Sequence, residues 1–371
     1  MPFEEIEHVI REDLPADVFV RIDREPLATA SIAQVHTALL SSGRNVIVKV
    51  RRLSRGKCFA LSAGGSQAIA WAVCDNLTTS KREVMGGRMA ENGYAKPVLV
   101  TTDWLAEHLN DSNIVVAEVD ENPDLYDEGH IAGAVKLHWR DDLQDAVERD
   151  LVEKDEFERL MGERGIGNDT ALVVYGDKNN WFAAYAYWYL KIYRHEHVRI
   201  LDGGRQKWID EGRELTTDPP QVPATTYQAQ ERDESIRIYR DDVRDTIGAA
   251  DKALVDVRSP QEFSGDLIAP PGYEQEGAQR AGHIPTAASI PWASAVRDDG
   301  TFKSAAKLRE LYGGKGVTAD KAVTAYCRIG ERSAHTWFVL RELLGYKDVR
   351  NYDGSWTEWG NLVDVPIEKG A

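Results

Sequence analysis

The residues best equipped for chemistry stand together in Tyr326-Cys327-Arg328-Ile329-Gly330-Glu331-Arg332-Ser333, and Cys327 is the only cysteine between residues 91 and 371. Ala322-Val323-Thr324-Ala325-Tyr326 before it reads as a short buried strand. From Ser333 the apolar positions Trp337, Leu340 and Leu344 recur at helical spacing, with Gly345 as a stop. A cysteine at such a junction sits in a tight turn whose N–H groups converge, at the positive end of a helix dipole. With Arg328 and Arg332 close by, these groups are expected to bring the thiol pKa well below its usual ~8.5 and present a reactive thiolate. A buried structural cysteine is the commoner fate of a lone one, but two arginines and a glutamate are poor neighbours for it. Two chemistries suit a thiolate in an anion-binding cradle: cleavage of phosphate esters, and transfer of sulfur through a cysteine persulfide.

Loop length separates them. In cysteine-dependent phosphatases a histidine usually precedes the cysteine and the arginine comes after five further residues. Here Tyr326 precedes the cysteine and Arg332 follows after four. The tighter loop suits a protruding sulfane sulfur better than a tetrahedral phosphate. It resembles the active loop of the rhodanese family, and in particular the thiosulfate sulfurtransferases whose loop begins Cys-Arg-x-Gly. Mercaptopyruvate sulfurtransferases usually have Cys-Gly-x-Gly. Animal thiosulfate enzymes tend to carry lysine where this chain has Ile329, and the Gly330-Glu331-Arg332 variant looks like a bacterial and actinobacterial branch. The resemblance implies transfer of the sulfane sulfur of thiosulfate to cyanide or to a small or protein thiol, with Cys327 as the catalytic residue and no cofactor or metal. Other readings stay open: a 3-mercaptopyruvate sulfurtransferase, a persulfide relay or interaction module without free thiosulfate turnover, and a low-molecular-weight phosphatase or arsenate reductase.

The elements that must position this loop occur twice. Glu128-Gly129-His130-Ile131-Ala132-Gly133-Ala134 recurs as Ala281-Gly282-His283-Ile284-Pro285-Thr286-Ala287, each followed five residues later by a tryptophan, Trp139 and Trp292. Val116-Ala117-Glu118-Val119 matches Leu254-Val255-Asp256-Val257, and Leu201-Asp202-Gly203-Gly204 with Trp208 matches Tyr352-Asp353-Gly354-Ser355 with Trp359. The copies lie roughly 140 to 150 residues apart, a domain-sized spacing. Each alternates apolar strands with amphipathic helices, so each is expected to be an α/β unit with a mostly parallel sheet flanked by helices. Ligands in such sheets bind beyond the carboxyl ends of the strands, where Cys327 would stand. The resemblance implies two tandem rhodanese-like domains, an inactive one over 94–218 and a catalytic one over 219–371. The first has Tyr175-Gly176-Asp177 where the second has Tyr326-Cys327-Arg328, and Asp120 where the second has Arg258. Having lost the thiol, it is expected to close one wall of the site. Trp181 and Phe182 either line the pocket from that wall or belong to the first domain's own core.

Arg258 follows the strand Leu254-Val255-Asp256-Val257, and family motifs place the thiosulfate-binding arginine there. A guanidinium fork suits two sulfonate oxygens better than a lysine point charge would. Arg332 and Arg328 complete the expected substrate-binding set. Ile329, Gly330, Glu331 and Ser333 are expected to support the loop, and Asp256 to accept hydrogen bonds within its scaffold. His283 is expected to hold a turn, and Trp356 to shape the rim or join the core.

The net charge of −16 argues against nucleic acid as a partner and opposes a dianion at long range, so binding must rest on local positive potential. No run approaches the ~18 apolar residues of a membrane helix, and the acidic start Met1-Pro2-Phe3-Glu4-Glu5 is not a signal peptide. Three cysteines without zinc-ligand spacing suggest a reducing, cytoplasmic setting and no metal. Residues 1–52 resemble the opening of a UbiB-type atypical kinase. The likeness lies in Pro26-Leu27-Ala28-Thr29-Ala30-Ser31-Ile32-Ala33-Gln34-Val35-His36 and in Val46-Ile47-Val48-Lys49-Val50, whose lysine matches the one that contacts ATP phosphates. Nothing downstream resembles a kinase catalytic loop, so this fragment is not expected to transfer phosphate. Residues 53–93, with little periodicity, read as a partly disordered linker, and residues 1–89 are expected to be dispensable for catalysis. Met85 and Met89 are both candidate starts for the region that follows.

Overall fold

The computed structural model describes residues 19–24, 28–30, 33–40, 45–53, 56–63, 69–72, 92–273 and 277–370. The chain divides into two compact units, Met1–Val84 and Met85–Ala371. The first holds an antiparallel sheet of β1 (Phe19–Ile22), β2 (Ala28–Ala30), β3 (Ala33–Leu40), β4 (Asn45–Leu53), β5 (Gly56–Ala63) and β6 (Ile69–Ala72). Its order is β1-β3-β4-β5-β6, with β2 on β3. Lys49 lies in β4 opposite Val35 and Ala60. The stretch read as a linker supplies β5 and β6, and β4–β5 pairing continues across residue 52 to Leu53 and Gly56. Residues 73–91 of that stretch, and Pro26, Leu27, Ser31 and Ile32 of the kinase-like motif, lie outside the described residues.

The second unit contains two parallel sheets built to one plan. In the first half β7 (Leu99–Val100), β8 (Ile114–Glu118), β9 (Val135–Lys136), β10 (Ala171–Tyr175) and β11 (Val198–Leu201) are ordered β7-β11-β10-β8-β9. In the second, β12 (Lys252–Asp256), β13 (Ala288–Ser289), β14 (Ala322–Tyr326) and β15 (Val349–Tyr352) are ordered β13-β12-β14-β15. Superimposing the plans sets β14 on β10 and β12 on β8, and a lone parallel bridge between Arg237 and Asn351 stands where β7 stands in the first half.

Helices cover both faces, so the strands are apolar on both sides, as a parallel sheet requires. Alternate residues enter different cores. Leu172 and Val174 join the large core that runs through both halves, whereas Val173 and Tyr175 join a smaller one behind the first sheet. Leu254 and Tyr326 do the same behind the second. The halves meet along the helices Trp181–Ile192 and Glu331–Trp337. Tyr187 lies edge-on to Phe338 with ring centroids 4.8 Å apart, and its hydroxyl hydrogen-bonds Glu342, which also pairs with Lys96 at 2.8 Å. The helix that follows the Cys327 loop therefore packs directly on the helix Trp181–Ile192 of the first half.

Candidate active site

β14 ends at Tyr326 and the helix begins at Glu331, so Cys327-Arg328-Ile329-Gly330 must reverse the chain in four residues. Gly330 permits this with φ +99°, and a Cβ there would come within 2.6 Å of the Asp353 Cα. The neighbouring strand end fixes the loop from the side. The Cys327 N–H donates to Ser355 Oγ at 3.0 Å, the Trp356 N–H donates to the Cys327 carbonyl at 3.1 Å, and Asn351 Nδ2 donates to the Gly330 carbonyl at 3.0 Å. Ser333 Oγ donates to the same carbonyl at 3.0 Å. Ser355 and Asn351 are contributors that the spacing around the cysteine does not reveal, although Ser355 belongs to the repeated Tyr352-Asp353-Gly354-Ser355 motif.

The thiol of Cys327 is fully buried between two partners. The Gly330 N–H donates to Sγ at 3.1 Å, and Sγ donates to Glu331 Oε2 at 3.2 Å. Arg332 pairs with Glu262 through two N–H groups at 3.0 and 3.2 Å, while its Nε lies 3.7 Å from Glu331 Oε1. Arg328 Nη2 lies 3.7 Å from the same oxygen, and its guanidinium sits 4.3 Å from the centre of the Tyr273 ring. All four charged side chains are buried. The expectation of a lowered thiol pKa is corrected here. Burial and the Glu331 carboxylate push the Cys327 thiol up, and Arg332 and the Ser333 amide only partly offset them. The sequence puts both arginines near the sulfur but not the carboxylate against it.

Arg258 stands where the strand-end reading puts it, but its fork is occupied. Nε and Nη2 donate to Asp256 at distances from 2.7 to 3.2 Å, Nη2 also donates to the Gly282 carbonyl at 2.7 Å, and the guanidinium lies 4.4 Å from the Trp356 ring centre. Only Nη1 lacks a partner. Asp256 also accepts the Arg258 N–H, so it serves the scaffold. Trp356 lies in the core with its Nε1 on the Arg280 carbonyl. His283 holds its turn through the Phe263 carbonyl at 2.8 Å and stacks on that ring.

In the first half the equivalent loop is filled by its own side chain. The Gly176 N–H donates to Asn180 Oδ1 at 3.0 Å, and Asn180 Nδ2 donates to the Leu201 carbonyl at 2.7 Å. The buried carboxylate that matches Asp256, Glu118, pairs there with Arg205. Trp181 and Phe182 part company: Phe182 packs on Trp139 inside the first half, whereas Trp181 faces Trp292 across the interface with centroids 5.4 Å apart. The Arg332 guanidinium lies 6.0 Å from the Trp181 ring centre, and the buried Trp181 Nε1 has no partner. Arg149, a first-half residue that sequence reasoning passed over, donates to the carbonyls of Ile329 and Asp353 at 3.2 and 3.3 Å. It borders a cleft of ≈760 Å³ with Trp139, Gln144, Ile329 and Thr357, which opens beside the loop. Among the described residues, no group of three His, Cys, Asp or Glu side chains could hold a metal ion, and no helix is long and apolar enough to cross a membrane.

One further buried group rides on the loop's helix. Neither His335 ring nitrogen has a partner, the ring lies against Phe302 and Trp292, and burial lowers its pKa from 6.5 to about 3. Below pH 6.5 the unfolded chain takes up a proton that the native ring refuses, so stability is lost as pH falls towards 3. Between pH 7 and 5 this should remove about 2 kcal/mol. Urea unfolding of a His335→Phe variant at the two pH values should show that loss shrinking by about the same amount; an unchanged loss would mean that His335 protonates freely in the fold.

The rhodanese-like domain family matches residues 101–211 and 240–362, and the ABC1 atypical kinase-like domain family matches residues 1–57. A Saccharopolyspora erythraea protein named "Putative thiosulfate sulfurtransferase" is 59% identical over 271 residues, covering 73% of this chain and 96% of that one. A Thermus thermophilus protein named "Sulfur carrier protein TtuD" is 60% identical over 282 residues, covering 75% and 99%. Among solved structures, the anaerobic ergothioneine biosynthesis enzyme of Chlorobium limicola aligns with a TM-score of 0.65 at 23% identity, over 79% of this chain and 81% of that one. At that identity the likeness is one of fold.

Proposed function

The chain belongs to the rhodanese family, as a sulfurtransferase with two rhodanese-like domains in tandem, and from that premise we propose that it is a thiosulfate sulfurtransferase acting through a Cys327 persulfide. The observation that carries this reading is the Cys327 thiol held by the Gly330 N–H in a loop between two arginines, while the first half's loop has no thiol. Sγ attacks the outer sulfur of thiosulfate and sulfite departs, with Arg328 and Arg332 supplying the positive potential. The persulfide, cradled by loop N–H groups, then gives its outer sulfur to cyanide or to a small or protein thiol. Such a covalent intermediate implies ping-pong kinetics. Arg258 contributes mainly by fixing Asp256 and the strand end, with Nη1 alone left for an anion. The domain limits proposed are 94–218 and 219–371, and the proposed setting is the cytoplasm.

Donor choice is a direct test. Arg328 replaces the glycine typical of mercaptopyruvate enzymes, and its guanidinium beside the cysteine suits the dianion. With cyanide as acceptor, kcat/KM for thiosulfate should exceed that for 3-mercaptopyruvate by about tenfold or more, the equivalent of one charge-assisted hydrogen bond. A higher value for mercaptopyruvate would reverse the assignment. A second reading, relay of the persulfide to a protein partner with little turnover of free cyanide, is favoured by the sulfur carrier name of the Thermus relative. Persulfide formation without steady-state thiocyanate release would select it.

A further inference from the structure

The cluster around the sulfur contains one group that the persulfide mechanism leaves unused. Glu331 Oε2 accepts the Cys327 thiol proton at 3.2 Å, and the carboxylate is buried at the start of the helix. A structural role for it would be a strong pair with one of the arginines. Instead Oε1 makes no hydrogen bond, and both arginines stand 3.7 Å away, with Arg332 committed to Glu262. We propose that Glu331 is a catalytic residue: it takes the proton of the Cys327 thiol as the Sγ–S bond forms and returns it to the departing sulfite.

The charges decide this. Arg328 and Arg332 face Glu331 from the loop and its own helix, and Glu262 reaches the cluster through Arg332 from the Pro260–Ser264 helix. Two cations and two carboxylates leave no net charge while the cysteine is a thiol. Releasing its proton to solvent would add a negative charge at the position a dianion must approach, in a site of low dielectric. Moving the proton to Glu331 keeps the cluster neutral and the thiolate paired. The step then balances: the thiol proton goes to Glu331, Sγ bonds the outer sulfur, and the S–S bond of thiosulfate breaks with its electron pair on sulfite. Glu331 hands the proton to sulfite, which leaves as hydrogensulfite, and the persulfide stays as an anion. With a thiol acceptor the route reverses. The acceptor's proton passes to Glu331, its sulfur bonds the outer sulfur, the Sγ–S bond breaks with the pair on Sγ, and Glu331 reprotonates Sγ. No oxidant or reductant is needed.

The inference rests on the sulfurtransferase reading, and Glu331→Gln in the full chain separates the two. A base and a purely electrostatic or structural group move two measurements differently. Glu331→Gln should slow iodoacetamide alkylation of Cys327 at pH 7, because the thiol has lost the group that accepts its proton; removing a carboxylate that acted only as an opposing charge would instead speed it up. Glu331→Gln should also lower kcat for thiocyanate formation by about 10²-fold, the usual contribution of general acid–base catalysis. Glu331→Asp, which keeps a carboxylate one methylene shorter, should recover part of both losses. If Glu331→Gln keeps kcat within about threefold, well short of a general-base effect, or if alkylation of Cys327 speeds up in that variant, Glu331 is not the base. If the wild type itself forms neither persulfide nor thiocyanate, it is the underlying reading that fails.

Discussion

Cys327→Ser is expected to leave a folded protein that no longer moves sulfur. A serine hydroxyl keeps the volume, so Tm should shift by no more than roughly 3 °C. Its oxygen cannot accept a sulfane sulfur and does not ionise near neutral pH. No other thiol exists in residues 91–371 to take its place. Thiocyanate formation from thiosulfate and cyanide should fall on the order of 10⁴-fold or more, as for loss of the nucleophile in other covalent enzymes. Thiocyanate production by the folded variant at more than a few per cent of the wild-type rate would remove Cys327 from the mechanism.

Arg258→Met should act on the fold before it acts on chemistry. The side chain is almost completely enclosed and is bound twice over to Asp256, itself fully buried. Losing the guanidinium strands that carboxylate without a counter-charge, which costs about 3–5 kcal/mol. For a unit of this size Tm should fall by roughly 10 °C. Combining Arg258→Met with Asp256→Leu removes the stranded charge and should recover most of that loss. A single variant with unchanged Tm and a KM for thiosulfate raised tenfold or more would instead make Arg258 a direct sulfonate ligand.

The elements were more legible than the contacts between them. The apolar run 322–326, the helix after Gly330 and the two repeated motifs are local patterns, and each element forms where its pattern lies. The thiol's environment was not local in the same sense. Glu331 is four positions from Cys327, but only the positive φ of Gly330 turns its carboxylate onto the sulfur, and spacing alone does not disclose that. The partner of Arg332 is 70 residues away in Glu262. Arg258 spends its fork on a residue two positions before it, so a side chain read as pointing to substrate folds back on its own strand end. Residues 56–63 and 69–72, read from composition as part of a linker, pair as the antiparallel strands β5 and β6, a long-range pairing that local composition does not disclose. Trp181 and Phe182 are neighbours in sequence with different destinations, which only the packing of the two halves decides.

The persulfide itself is the most direct measurement. The protein is incubated with thiosulfate, freed of excess reagent and digested without reductant, and its peptides are weighed. The peptide bearing Cys327 should carry one additional sulfur atom, which brief exposure to cyanide removes with release of an equal amount of thiocyanate. An unmodified Cys327 peptide under turnover conditions, or added sulfur found only on Cys58 or Cys74, would contradict a persulfide mechanism at this site.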